Sequence, residues 1–290
     1  MQEADLNAHF LSRIFPLLLF IKVLAHANEP LLEKEFFETL DPYFISIKCT
    51  QGQSIATQEG YTSLQTFAFP CNYKSVYPFF DLRFHCLNES DAYAANAGLG
   101  VRFAKEELIF GINAYYDCRK KQGNIYNQTG IGVEFFWKCW NFRMNGYLPV
   151  GKKKHLFSQC FYDGYQGKHF YLVEKFQSSL KGIDFQLEAS IYKCQHLEIL
   201  LGIGGYNYHG YCEHKSIYGS SYRIRGNFWS LVVLDVLGSY DCFFKARVQA
   251  QLSIVIPLPF CPKEIIQLFQ PVLRQEIIVI EKYKLYSWDW

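Results

Sequence analysis

The ten cysteines and the scattered histidines are the side chains in this sequence with the widest range of chemistry. Zinc sites in proteins commonly use about four Cys or His ligands, often with a Cys-x-x-Cys pair among them. No such pair occurs, and the nearest approach, Cys212-Glu213-His214, supplies too few ligands. The sequence therefore predicts no metal centre and no cofactor.

A catalytic site of the nucleophilic kind needs a nucleophile held beside a base. The sequence has no Gly-x-Ser-x-Gly motif, and its histidines keep no fixed spacing from a serine or a cysteine. His85, Asp117 and Ser216 would meet only if strand ends came together at one rim. Gly202-Ile-Gly-Gly is expected to lie in a strand that no helix follows, which argues against a dinucleotide-binding fingerprint. We therefore expect no enzymatic activity.

Disulfide formation is a second use for the cysteines. An exported chain meets oxidising conditions, and several cysteines fall near predicted strand ends or in predicted loops. The spacing does not define their connectivity. The candidate disulfide cysteines, all on the predicted outer side, are Cys49, Cys86, Cys118, Cys160, Cys212 and Cys242.

The elements that would position these groups are β-strands with two different faces. In Tyr93–Phe103 the odd positions are apolar, whereas the even positions are small, polar or charged. The same alternation recurs in residues 108–117, 128–137, 142–148, 183–191 and 244–256. A period of two is the signature of a strand between unlike surroundings. The pattern fits a soluble half-buried sheet, or a barrel that is apolar toward lipid and polar toward a lumen.

Connection lengths favour the barrel. Tight turns are predicted at 104–106, 138–141, 193–196 and 226–227, and long intervals at 51–60, 118–127, 151–181 and 208–216. Short periplasmic turns and longer outer loops are typical of outer-membrane barrels, while a Greek-key sandwich has no reason to alternate them. An aromatic content of 18% suits girdles at two membrane interfaces, and a net charge of +2 gives no indication of nucleic-acid binding. We predict an all-β fold, an antiparallel transmembrane β-barrel of about twelve strands, of bacterial outer-membrane type.

Charged residues of both signs occupy the polar faces. On a lipid-facing surface each would cost about 2–4 kcal/mol at the bilayer midplane, so we expect them to line the lumen. Their balance predicts paired networks rather than a wide ion-selective pore. The predicted lumen-lining residues are Arg102, Glu107, Asp117, Glu134, Arg143, Asp184, Glu188, Glu198, Arg223, Arg225, Lys245 and Arg247.

The segments outside the strands complete the predicted organisation. Residues 1–27 fit a secretory signal peptide, with a short N-terminal helix as the alternative, and residues 28–42 fit a periplasmic connector. The barrel is predicted over 43–256. Residues 257–290 form a tail that either fills the lumen as a plug or ends in an aromatic assembly signal. A candidate outer binding loop, with a merely solvated loop as the alternative, contains Lys152, Lys153, Lys154, Tyr162 and Tyr165.

Four blocks in series carry a family resemblance. They are Gly98-Leu-Gly-Val-Arg-Phe103, Ile109-Phe-Gly-Ile-Asn-Ala-Tyr-Tyr-Asp117, Thr129-Gly-Ile-Gly-Val-Glu-Phe135 and Met144-Asn-Gly-Tyr-Leu-Pro149. In order and spacing they resemble the β-domain of inverse autotransporters, the intimin and invasin family. The resemblance implies a twelve-stranded outer-membrane barrel with a periplasmic N-terminus, which anchors an exported passenger displayed as an adhesin.

In this sequence Pro257–Trp290 is too short for such a passenger, so the outer loops, the tail or a partner are expected to be what is presented. The expected function is a surface anchor for display or adhesion. The expected partners are outer-membrane lipid, the barrel-assembly machinery, and host-surface or neighbouring envelope proteins. A small porin-like channel and a secreted, soluble, aromatic-rich β-protein are the alternatives.

Overall fold

Twelve strands form a closed antiparallel barrel in the computed structural model, and three more form a separate sheet. The structure describes residues 43–70, 75–166, 169–194, 196–210, 216–229, 231–258, 268 and 270–288. The predicted signal peptide (1–27) and connector (28–42) lie outside this range. The twelve-stranded all-β barrel predicted from the sequence is confirmed.

The barrel order is β1-β14-β13-β12-β11-β10-β7-β6-β5-β4-β3-β2, and the separate sheet has the order β15-β9-β8. The hairpin β8–β9 therefore lies between two neighbouring barrel strands, β7 and β10. The strands are β1 (Tyr43–Gly52), β2 (Tyr61–Ala68), β3 (Val76–Leu87), β4 (Tyr93–Lys105), β5 (Leu108–Lys121), β6 (Asn124–Trp137), β7 (Trp140–Val150), β8 (Lys154–Gln166), β9 (His169–Ser179), β10 (Lys181–Lys193), β11 (Leu197–His209), β12 (Ser216–Phe228), β13 (Val232–Asp241), β14 (Arg247–Leu258) and β15 (Ile280–Trp288).

The barrel is apolar on its outer surface and polar inside. Leu99 and Ile131 point outward and are 70% and 71% exposed, whereas Arg102 and Glu134 on the opposite faces are buried. Such a surface would be a liability in water and is suited to lipid. Large outward-facing aromatic side chains occur near both ends of the strands, as expected for two interfacial girdles, and they include Tyr93, Phe103, Tyr116, Trp137, Trp140, Tyr192, Tyr218, Trp229 and Tyr240. Within the described residues, no helix is long and apolar enough to cross a membrane.

The two ends of the barrel differ in their connections. One, which we call the turn end, holds the two-residue turns at Glu106–Glu107 and Lys138–Cys139. The first barrel strand begins there at Tyr43, and the last barrel strand ends there at Leu258. The other, the loop end, carries the β8–β9 hairpin. Short turns lie on the periplasmic side of outer-membrane barrels, so the loop end faces the outside of the cell.

The prediction of a long outer loop at 118–127 was wrong. Strands β5 and β6 continue through this segment and are joined by Gln122-Gly123, where both residues have positive φ (51° and 79°). Positive φ at both central positions is characteristic of a type I′ hairpin turn. The segment looked like a loop because the strands extend past the membrane, where polar residues replace the apolar face. The interval 151–181 holds the β8–β9 hairpin.

The last barrel strand also differs from its predicted limits of 244–256. It begins at Arg247 and ends at Leu258. Before it, the Asp241 carboxylate accepts hydrogen bonds from the backbone N–H groups of Phe243 and Phe244 (2.7 and 2.5 Å). This carboxylate holds the chain in a turn where alternation alone predicted a strand.

Apolar side chains fill the lumen at both ends, which the alternation did not predict. At the turn end the cluster contains Phe44, Phe67, Phe69, Phe79, Ile109, Tyr115, Phe136, Leu268 and Val272. At the loop end it contains Ala56, Tyr61, Leu87, Ala92, Tyr147, Leu180, Tyr206, Tyr208, Ile217, Ile277 and Val279. Both clusters include residues from the C-terminal tail, so the tail passes from one end of the lumen to the other.

The lipid-facing surface can be tested at Ile131, in the middle of β6. Ile131→Arg places a guanidinium in the hydrocarbon layer and should lower the free energy of unfolding by about 2–4 kcal/mol. The matched control is Ile125→Arg on the same face at the loop end, where the loss should be only about 0–1 kcal/mol. Chemical denaturation in lipid vesicles measures both. Equal losses would show that this face does not contact lipid.

Candidate functional site

Charged side chains form a connected network across the lumen wall. The Arg102 guanidinium lies 2.8 Å from the Glu134 carboxylate, which also faces Arg143 at 3.7 Å. Arg143 in turn donates to Glu188 (2.8 Å), and Arg225 lies 3.5 Å from the same carboxylate. All five side chains are buried. Opposite charges on facing strands therefore compensate one another where no bulk water is available.

Aromatic rings support this network at the turn end. The Arg102 guanidinium carbon lies 5.0 Å from the centre of the Phe79 ring and 5.5 Å from the centres of the Phe67 and Phe136 rings. A cation over several ring faces is stabilised by their quadrupoles, most strongly when it is removed from water. Arg102 Nε and Nη2 both donate to Glu134, and Nη1 donates to the backbone carbonyl of Leu268, so the guanidinium is held by rings and by acceptors.

We call the part of the tail inside the barrel the lumenal segment (Leu268 and Gln270–Val279). Its backbone carbonyls, rather than its side chains, receive most of the contacts from the wall. The donor–acceptor pairs are Arg102 to Leu268, Arg83 to Val272 (2.7 Å), Asn145 to Leu273 (3.1 Å), Asn96 to Glu276 (2.8 Å) and Arg119 to Ile278 (2.5 Å). Carbonyl contacts do not depend on side-chain identity. The wall can therefore hold an extended chain with little regard to its sequence.

Glu276 is the first of two charged anchors in the lumenal segment. Its Oε1 accepts hydrogen bonds from Lys48 Nζ (2.8 Å) and Arg83 Nη1 (2.5 Å). The His85 Nδ1 lies 3.9 Å from the other carboxylate oxygen. Arg83 is also paired with Asp81 on its own strand. Lys48 and Arg83 carry two positive charges, and Asp81 supplies only one negative charge from the wall. Glu276 of the tail supplies the second.

Arg274 is the second anchor, of opposite sign. Its two terminal nitrogens donate to the two oxygens of Asp117, at 2.8 and 2.6 Å. The guanidinium carbon lies 4.1 Å from the centre of the Tyr115 ring and 5.4 Å from that of Tyr147. Two parallel N–H···O bonds fix direction as well as distance. Two opposite charges, two residues apart, therefore define the register of the tail in the lumen.

The tail leaves the lumen at the loop end and becomes part of a sheet. The Leu180 N–H donates to the Val279 carbonyl at 3.0 Å. From the next residue β15 pairs antiparallel with β9, from Ile280 opposite Ser179 to Trp288 opposite Tyr171. The tail thus adds a third strand to the β8–β9 hairpin.

The predicted lumen-lining residues are distributed as follows. Six are buried in the interior: Arg102, Asp117, Glu134, Arg143, Glu188 and Arg225. Four more are partly buried on the inward-facing positions of their strands: Asp184, Glu198, Arg223 and Arg247. Asp184 accepts hydrogen bonds from Asn145 and Tyr147 (2.8 and 2.7 Å), so it belongs to the wall that faces the lumenal segment.

The remaining two lumen predictions were wrong. Glu107 lies in the β4–β5 turn, where its side chain is 69% exposed, 3.6 Å from Lys138. Lys245 is exposed in the turn before β14 and has a positive φ of 65°. The strand that carries Lys245 was predicted to begin too early, at residue 244, and Glu107 lies just before β5 begins at Leu108. Alternation does not show where a strand leaves the membrane.

Sequence reasoning missed several lumen charges. Those overlooked in the wall are Lys48, Asp81, Arg83, Arg119 and Asp235, and those overlooked in the tail are Arg274 and Glu276. Lys48, Asp81 and Arg83 carried a usable signal, because each occupies an inward position of an alternating strand. Arg119 lies in the segment that was predicted as a loop, and the alternation around Asp235 is weak. The tail residues carried none, since an extended chain inside a lumen has no periodicity of its own.

The cysteines and the candidate outer loop are only partly within the described structure. Cys49, Cys86, Cys118 and Cys242 are free thiols, while the Cys160 side chain and Cys212 lie outside the described part. Lys152 and Lys153 are exposed and Lys154 begins β8. Tyr162 and Tyr165 belong to β8 rather than to a loop, and their side chains lie outside the described part.

His85, Asp117 and Ser216 do not meet. His85 contacts Ser63 and Asn96 (2.6 and 2.7 Å), Asp117 pairs with Arg274, and Ser216 contacts His209 (2.9 Å).

The Arg274–Asp117 pair gives a direct test of the site. Replacing either residue with Ala leaves a buried charge without its main partner, a change that typically costs about 3–5 kcal/mol. Because Asn96 and Gln128 still donate to Asp117, we expect the loss for Arg274→Ala near the lower end of that range. The loss should appear as faster amide hydrogen exchange across 270–279.

The double variant supplies the control. Removing both charges should cost less than the sum of the two single losses, because no unpaired charge then remains. Lys284→Ala, an exposed lysine of β15, should leave exchange in the lumenal segment unchanged. Strictly additive losses would show that the two side chains do not interact.

Among solved structures, a protein from a study of the in-meso crystallization of membrane proteins matches with a TM-score of 0.61 at 12% identity, over 83% of this chain and 100% of that one. An outer membrane channel from Pseudomonas putida F1 gives a TM-score of 0.45 at 8% identity, over 74% and 95%. The beta domain of the Bordetella autotransporter BrkA gives 0.34 at 7%, over 74% and 96%. The first likeness concerns the fold alone.

No curated protein matches the chain. The family described as inverse autotransporter, beta-domain, matches residues 56–211, which is more than half of the 290 residues. The matched region runs from the β1–β2 connection through β11 and includes all four blocks that carried the resemblance. The chain therefore belongs to the inverse autotransporter β-domain family and is a β-barrel of the bacterial outer membrane.

Proposed function

We propose that this barrel anchors its C-terminal chain in the outer membrane and presents it at the cell surface, for display or adhesion. The observation that carries the proposal is the course of the tail. Leu268 and Val272 pack in the aromatic cluster at the turn end, whereas Ile277 and Val279 pack at the loop end. The chain then continues outward as β15.

The contacts between the barrel wall and the tail support display. A chain that must be moved through the lumen and then retained needs contacts of two kinds. Wall donors aimed at backbone carbonyls accept any sequence, while Arg274 and Glu276 match one register only. The tail would therefore slide past the carbonyl contacts and stop where its two charges meet Asp117 and Lys48.

The sheet β15-β9-β8 is the surface that this arrangement would present. The tail forms one edge of this sheet, and on the outer side of the membrane that edge would be accessible to other molecules. A strand edge offers unpaired backbone groups on which further chain can add. We place the adhesive surface here and in the adjoining segment that includes Lys152 and Lys153. Host-surface or neighbouring envelope proteins are the proposed partners, and the barrel-assembly machinery the proposed route of insertion.

Lumen occupancy argues against the alternative of a porin-like channel. The buried charge network from Arg102 to Arg225 runs from strand to strand along the inner face of the barrel, and the lumenal segment lies against it. A secreted soluble protein, the other alternative, is overturned by the membership of an outer-membrane barrel family and by the apolar outer surface. We assign the barrel no enzymatic role.

The proposal predicts on which side of the membrane the chain beyond β15 lies. A peptide epitope appended after Trp290 should bind antibody on intact producing cells, because β15 lies beyond the loop end. The control epitope is inserted in the Lys138–Cys139 turn at the opposite end of the barrel, and it should react only after the outer membrane is permeabilised.

Adhesion forms a second arm of the same experiment. Cells that bear the barrel should adhere to host-cell surfaces more than cells without it. Exposure of the epitope on cells that do not adhere would support display and rule out the adhesive role. An epitope after Trp290 that reacts only in permeabilised cells would contradict display itself.

A further inference from the structure

Four lysines lie at the loop end along one side of the barrel, and we call them the basic arc (Lys120, Lys152, Lys153 and Lys181). Lys120 points outward near the end of β5, with its ammonium 5.4 Å from the centre of the Tyr93 ring. Lys152 and Lys153 are exposed just after β7, and Lys181 is exposed at the start of β10. Since Tyr93 belongs to the outward-facing aromatic band, the arc lies at the membrane interface.

The strands that carry the arc are neighbours. Their order in the barrel is β5-β6-β7-β10. Cys118 pairs with Asn127, which pairs with Val150, and Gly182 pairs with Tyr147, so these strand ends are level. Because neighbouring strands lie about 4.8 Å apart, the arc spans about 14 Å of the rim. That is wide enough for more than one small anion.

No negative charge neutralises the arc within the described structure. Segments 118–127, 148–158 and 179–183 contain no Asp or Glu. The nearest acidic residues in sequence, Asp117 and Asp184, face the lumen and are engaged there. None of the four lysines forms an ion pair with a described residue, and Lys154, next in the chain, is already held 3.7 Å from the Phe176 ring centre.

The rest of the rim shows that this is not a general feature of the barrel. On the adjoining β2–β4 part of the loop end, which begins next to β5, the connections carry Glu59, Glu89 and Asp91 instead of lysines. At the turn end, the exposed lysines are accompanied by acids, as in the pairing of Lys138 with Glu107. Among the described residues of the outer rim, exposed lysines therefore cluster between β5 and β10, and Lys245 stands apart in the β13–β14 turn.

We propose that the basic arc binds the phosphate groups of the phosphorylated glycolipid that forms the outer leaflet of the outer membrane. Ammonium groups are compact point charges that suit phosphate, and basic clusters beside a membrane-spanning element attract anionic headgroups. The position of the arc, level with the aromatic band, places it at headgroup depth. Bound glycolipid would then lie on the side of the barrel that carries the β8–β9 hairpin. This inference rests on the outer-membrane location and the direction of the loop end, and not on the display role.

The test uses the full-length protein in detergent micelles, with diphosphorylated lipid A as the probe and its dephosphorylated form as the reference. In the outer variant, all four lysines of the arc are replaced (Lys120→Gln, Lys152→Gln, Lys153→Gln and Lys181→Gln). The control variant carries Lys105→Gln, Lys138→Gln and Lys193→Gln at the turn end. Heat-modifiability on a gel confirms that each variant is folded.

The expected result is that the outer variant binds diphosphorylated lipid A at least about tenfold more weakly than the wild type at low ionic strength. The control variant should bind like the wild type, and molar salt should remove most of the difference, since exposed charges are screened. All three proteins should bind the dephosphorylated lipid equally.

Two outcomes would overturn the proposal. Equal affinity of the wild type and the folded outer variant for diphosphorylated lipid A would show that the arc does not recognise it. Arc-dependent binding of a soluble anionic polysaccharide such as heparin, with no arc-dependent binding of lipid A, would assign the arc to a partner outside the membrane.

Discussion

The carboxylate of Glu276 lies inside the barrel, and the rest of the arrangement depends on its pairing with Lys48 and Arg83. A charge in a lumen filled by protein loses its hydration and must be compensated by the groups around it. Glu276 and Arg274 belong to the tail, whereas their partners belong to the wall. Neither the wall nor the tail is fully compensated alone. The tail is thus a structural part of the barrel interior.

Two kinds of contact divide the work inside the lumen. Carbonyl contacts from wall side chains such as Asn145 and Arg119 hold an extended backbone, and charge pairs fix its register. Aromatic clusters close both ends around the tail. Outside the lumen, the same chain is held by ladder hydrogen bonds to β9. One continuous segment is therefore held in the lumen by its residues up to Val279 and paired with β9 beyond them.

Alternation predicted the class of fold because lipid and lumen are unlike surroundings for the two faces of a strand. It placed residues such as Arg102 and Glu188 on the inner face for a physical reason, the cost of a charge in lipid. It failed at strand ends, as for Glu107 and Lys245, since both faces of a strand meet water there. It was also silent about the tail. The register of Arg274 against Asp117 joins residues far apart in the sequence, and only the closed barrel brings them together.

Ionic conductance in a planar lipid bilayer tests most directly whether the tail occupies the lumen. The full-length barrel should show no steady open-channel current, because the lumenal segment runs through the lumen and packs into the apolar cluster at each end. A matched chain that ends at Leu258 retains all twelve barrel strands and serves as the reference for an empty lumen. It should conduct. A full-length barrel with the same steady conductance as the shortened chain would contradict an occupied lumen, and with it the account of how the tail is held.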